Sequence, residues 1–115
     1  MLSIDLYREQ SSEQAALTGF HMTGHADFGP NGKDILCAAT TVLGIACVNG
    51  ITELVGLKEK SNIQMASGNL ELRVDYENLT QQEKHDVGLF LDNFLLNIKS
   101  LEEQYPDYMK INDRR

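Results

Sequence analysis

The stretch from Ile35 to Val55 constrains this chain more than any other. From Ile35 to Val48 it is apolar or small at every position except Thr40 and Thr41. A helix that is apolar nearly all round must be covered on more than one side. Gly44 and Gly50 within it lower helix propensity and leave room for another part of the chain to pack close, and Gly56 marks its end. The most apolar window, about 14 residues and interrupted by those two threonines, is too short to cross a bilayer, so it reads as a buried helix. Cover must come from the rest of the 115 residues, which suffice for one compact domain, 1–115, and no more. A subunit interface is a further way to cover it.

The flanking segments supply a sheet and a second helix. Leu2, Ile4 and Leu6 alternate with Ser3, Asp5 and Tyr7, the period of a half-buried strand. After a polar turn at 9–14, residues 15–24 are again strand-like, with Thr18, Phe20 and Met22 on one face and Gly19, His21 and Thr23 on the other, so the two runs form an antiparallel hairpin. Gly29-Pro30 and Asn31-Gly32 break the chain between 26 and 33, a loop expected to act as a mobile lid. Ile63-Gln64-Met65 forms a strand, and Ser67-Gly68-Asn69 turns into a second one over Leu70, Leu72, Val74 and Tyr76. Thr80-Gln81-Gln82-Glu83 is a capping box opening a helix whose stripe is Val87, Phe90, Leu91, Phe94, Leu95, Ile98 and Leu101. A short strand from Tyr108 to Asn112 closes the sheet. The expected fold is α+β, a two-layer sandwich with a small mixed or antiparallel sheet of about five strands and two main helices in the order ββαββαβ.

Charge and cysteine usage narrow the function. A formal net charge of -7 repels phosphate backbones. It disfavours direct nucleic-acid binding and favours a basic peptide or protein partner. No run of positive charge followed by an apolar stretch opens the chain, which points to a cytoplasmic protein with no membrane segment. The two cysteines, ten positions apart, then stay reduced rather than form a disulfide framework.

Cys37 is the residue with the most chemistry open to it. With Asp34 as N-cap, it is the third residue of the apolar helix. There the helix dipole and unpaired N–H groups favour thiolate, the nucleophilic form, and can hold an oxyanion. The bland alternative is a small buried core residue. His25 lies at the end of the second strand, and the short connection brings strand end and helix start to one edge of the sheet. His25 is then the candidate base for Cys37, against the alternative of an ordinary surface histidine. Asp34 caps the helix, orients His25, or does both. Thr41, one turn beyond Cys37 on the same face, lines the site or bonds back to the carbonyl four residues earlier. Cys47 belongs to the core. His85 lies on the polar side of the second helix, and Arg114-Arg115 is a frayed tail. A metal held by His21, His25 and Cys37 is disfavoured, since four strand residues separate the two rings by about 13 Å. The pattern calls for no metal and no cofactor.

Gly24-His25-Ala26, Gly32 and Asp34-Ile35-Leu36-Cys37-Ala38-Ala39 together resemble the signature of the ribosomal-processing cysteine protease family Prp. Val48-Asn49-Gly50-Ile51 and Glu102-Glu103-Gln104-Tyr105-Pro106 extend the resemblance over nearly the whole chain. It implies a two-layer α/β fold, a homodimer, and His25 with Cys37 as catalytic pair. It also implies a substrate: the twenty-seventh protein of the bacterial large ribosomal subunit, L27, in a precursor form whose N-terminal extension the family removes during ribosome assembly. Thr41 stands where the family usually carries Ser, and keeps the hydroxyl. Two rival readings remain from the residues alone: a non-enzymatic ribosome-associated protein-binding module, and a redox-sensing thiol protein. The second lacks a Cys-x-x-Cys and a well-placed resolving thiol.

Overall fold

The structure, a computed structural model, describes residues 1–11, 14–24 and 35–113. His25, Asp34, the expected lid over 26–33 and the Arg114-Arg115 tail lie outside the described residues. Five strands, β1 (Leu2–Arg8), β2 (Leu17–Thr23), β3 (Ser61–Ala66), β4 (Asn69–Val74) and β5 (Met109–Asp113), combine with two helices, α1 (Ile35–Asn49) and α2 (Gln81–Gln104). The chain order is the expected ββαββαβ. In space the strands run β3-β4-β2-β1-β5. All neighbours are antiparallel except β1 and β5, which are parallel.

Alternation decides which face each strand buries. Leu2, Ile4, Leu6, Phe20, Met22, Leu70, Leu72 and Val74 are buried beneath the helices. Tyr7, His21 and Glu71 lie on the opposite, half-exposed face. From α2, Val87, Leu91, Phe94, Leu95 and Ile98 are buried, and Phe94 stacks on Phe20 with ring centroids 4.2 Å apart. The capping box is formed as read: Glu83 N donates to Thr80 Oγ1 at 3.1 Å, and Thr80 N donates to the Glu83 carboxylate at 2.8 Å. The two glycines of the apolar segment meet close neighbours. A Cβ at Gly44 would lie 2.7 Å from a Leu70 methyl, and one at Gly50 would lie 2.3 Å from the Phe90 ring.

Three expectations need correction. β2 begins at Leu17, not at residue 15, because the preceding alanines close the turn: Glu9 N donates to Ala16 O at 2.9 Å and Arg8 Nη1 to Ala15 O at 2.7 Å. Tyr7 then pairs with Gly19 but Arg8 with Leu17. Thr18 is therefore the extra residue of a bulge, and Leu17 takes the core position. β3 is an edge strand that leaves most of its side chains exposed. The apolar helix ends where expected: α1 continues without a break through a π-helical turn, Gly50–Leu54, and Gly56 follows with a positive φ of 83°. The resulting 20-residue helix is long and apolar enough to cross a membrane by length and composition, so the length argument fails. Its Leu36, Thr40, Gly44, Cys47, Val48 and Ile51 are nevertheless buried within the fold.

Candidate active site

Met22, Leu70 and Met65 form one row across β2, β4 and β3, paired Met22 with Leu70 and Leu70 with Met65. With Leu2 this row floors a cleft at the end of the sheet. The start of α1 overhangs it with Cys37 and Thr41, and Gly24 and the β3–β4 turn at Ser67 and Gly68 close its end. The volume is about 190 Å³, which suits a substrate side chain.

Local chemistry explains the shape. Gly24 adopts a positive φ of 88°, favourable only for glycine, and a Cβ there would lie 2.6 Å from the Met1 carbonyl oxygen. Its N–H donates to Gly68 O at 3.0 Å, which ties the end of β2 to the hairpin turn. Gly68 itself has a φ of 70°, a left-handed conformation that glycine adopts without strain. Cys37 is the third residue of α1 and half-buried. The N–H groups of a first helical turn have no acceptor within the helix and point with the positive end of the dipole.

The structure thus brings Cys37 and Thr41 to one cleft, together with Gly24, the residue that precedes His25. His25 and Asp34 fall outside the described residues. Thr41 lines this cleft. Its neighbour Thr40, fully buried, donates back to Leu36 O at 3.1 Å or Cys37 O at 3.0 Å. Cys47 is 4% exposed, burial pushes its thiol up to about 12, and its Sγ donates to Phe90 O at 3.5 Å. His85 is exposed. Among the described residues no group of three or more His, Cys, Asp or Glu side chains could hold a metal ion.

The sequence reading missed the floor and the hairpin wall. Their signal was present in the alternation that puts Met65 and Leu70 on one face beside a Gly turn. Also unforeseen is a network on the opposite face of the sheet. Glu71 accepts from Tyr7 Oη and, at 3.2 Å, from Arg73 Nε. The Arg73 guanidinium lies 4.0 Å over the Tyr7 ring. The Tyr7 hydroxyl, followed by Arg73 and His21, holds the Glu71 carboxyl below its ordinary range, while burial and Glu71 raise the Tyr7 phenol. His21 Nε2 lies 2.7 Å from Asn69 Oδ1.

Comparison with known proteins finds a family and relatives similar over most of the chain. The family model described as cysteine protease Prp matches residues 1–110. The ribosomal processing cysteine protease Prp of Bacillus subtilis is 25% identical over 100 residues, covering 87% of this chain and 88% of that protein. Its counterpart from Staphylococcus aureus is 28% identical over 113 residues, covering 97% and 98%. The crystal structure of an essential ribosomal processing protease Prp from S. aureus, in complex with a covalently linked product peptide, superposes with a TM-score of 0.74 at 25% identity, covering 97% and 98% of the two chains.

Proposed function

This chain belongs to the cysteine protease Prp family, and from that premise we propose that it cleaves the N-terminal extension from the precursor of the large-subunit ribosomal protein L27, with Cys37 as nucleophile and His25 as general base. The observation that carries the reading is the shared cleft: Cys37 in the first turn of α1 opens onto the same cavity as Gly24, the residue joined to His25.

The reaction uses only groups of the chain and water. His25 takes the Cys37 proton, and the thiolate attacks the scissile carbonyl. N–H groups at the start of α1 hold the oxyanion. His25 protonates the leaving amine, and water, activated by the same imidazole, hydrolyses the thioester. Asp34 caps α1 and orients His25, while the Thr41 hydroxyl lines the cleft beside the nucleophile. A net charge of -7 favours a basic ribosomal protein over bare nucleic acid. The enzyme works as a cytoplasmic homodimer.

Incubating a precursor that carries the extension with the native chain, Cys37→Ala and His25→Ala tests the assignment. Cleavage by the native chain alone is expected, with both variants folded and reduced at least about 1000-fold, as for the loss of one member of a nucleophile–base pair. Cleavage that survives Cys37→Ala ends the proposal.

A further inference from the structure

The two edges of the sheet are treated differently. At the β5 edge, Ile111 N donates to the Glu102 carboxylate at 2.7 Å, Asp113 is paired with Arg8 at 2.8 Å, and Lys110 adds a further charge. Capping and charging of this kind blunt an edge against added strands. The β3 edge has neither protection. Its sequence Ser-Asn-Ile-Gln-Met-Ala contains no charge and no proline, and among the described residues no strand lies beyond it.

Its register shows which backbone groups face outward. Asp75 N donates to Lys60 O at 2.8 Å, one step beyond the Ser61–Val74 pair. Hydrogen-bonded pairs alternate along an antiparallel ladder. Asn62–Arg73, Gln64–Glu71 and Ala66–Asn69 are therefore the bonded pairs, and Ile63 and Met65 turn their N–H and C=O groups away from β4. Their side chains lie on the helix-covered face, beyond the reach of the helices, and are 37% and 64% exposed. Met65 and Ala66 also line the cleft that holds Cys37.

We propose that β3 is the substrate-docking edge: an extended segment of the substrate polypeptide adds to it as a sixth strand, bonded to the backbone of Ile63 and Met65, and is led by that pairing into the Cys37 cleft. This inference rests on the reading of Cys37 as the nucleophile. Main-chain pairing supplies affinity without demanding a fixed sequence, and alternate side chains of the guest reach the exposed Ile63–Met65 face.

The test is binding of a labelled peptide, spanning the junction between extension and body of the ribosomal protein precursor, to the Cys37→Ala protein, read by fluorescence anisotropy. Ile63→Pro removes one outward N–H without touching a β3–β4 bond and is expected to weaken binding at least 10-fold. Ile63→Ala, which keeps that N–H, is expected to stay within 3-fold. Peptides N-methylated at one position at a time are expected to lose affinity at every second residue. Equal losses in the proline and alanine variants overturn the proposal, as does an N-methyl series without a two-residue period. A β3-mediated dimer that Ile63→Pro breaks while peptide affinity is unchanged also overturns it. Should Ile63→Pro fail to fold, the N-methyl series on the Cys37→Ala protein decides. Cleavage of the peptide by Cys37→Ala refutes the nucleophile assignment instead, a failure distinguishable from loss of the binding pattern.

Discussion

Cys37 and Cys47 sit on one helix, yet their surroundings set them apart. Cys37 opens onto a cleft; Cys47 is buried, and burial pushes its thiol up to about 12. Near pH 8 a thiol-specific reagent is expected to modify Cys37 at least about 100-fold faster than Cys47, since attack requires both thiolate and access; peptide mapping after timed labelling checks this, and comparable rates contradict it. Tyr7 and Glu71 give a second test at this scale. Glu71 has a lowered folded-state pKa, so its contribution to stability is present above the ordinary carboxylate pKa and lost as pH falls through the lowered one. Tyr7→Phe is expected to cost about 1 kcal/mol at pH 7, with the deficit shrinking as Glu71 protonates; urea melts at pH 7 and below pH 4 measure both. These contrasts were only half legible beforehand. Helical position and burial of the two cysteines followed from capping and pattern. The partners of Glu71 did not, because they depend on which strands become neighbours, and β4 pairs with β2 rather than only with its sequence neighbour β3.

Helix α1 owes its fit to absent side chains. Gly50 faces the Phe90 ring so closely that Gly50→Ala must displace it, and a loss of about 1–3 kcal/mol is expected from overpacking. Combining it with Phe90→Leu is expected to recover part of that loss; additive losses in thermal or urea unfolding count against the account. At the start of α2, Thr80→Ala removes half of a formed capping box and is expected to cost about 1 kcal/mol, which the same melts read. Capping residues, alternation and the 3.6-residue stripe made nearly every element readable, because they are local signals. Two features resisted for physical reasons. The last turn of the apolar helix, Gly50–Leu54, winds as π rather than α where it packs against α2, a tertiary matter. The bulge at Thr18 arises only when β1 is laid against β2.

At the scale of the whole molecule, the outer side of the two helices is not closed. Ile35 and Val42 are 72% and 64% exposed, and with Ala38, Ala39 and Leu101 they line an apolar groove between α1 and α2. We propose this groove as the surface through which the homodimer forms. Val42→Asp is expected to convert dimer to monomer in sedimentation equilibrium, whereas a native chain that sediments as a monomer at micromolar concentration refutes the assignment. The sheet carries a different consequence. β1, the first of the five strands in chain order, lies between β2 and β5, and Leu2 is paired with Met109. One flank of β1 is bare until the last strand of the fold has been made. During translation the nascent chain can zip the β1–β2 hairpin early, but it cannot seat β1 on both sides before β5 emerges. Pairing across so long a stretch of sequence carries a high entropic toll and slow closure, so the fold is completed as a late clasp that joins β5 to β1.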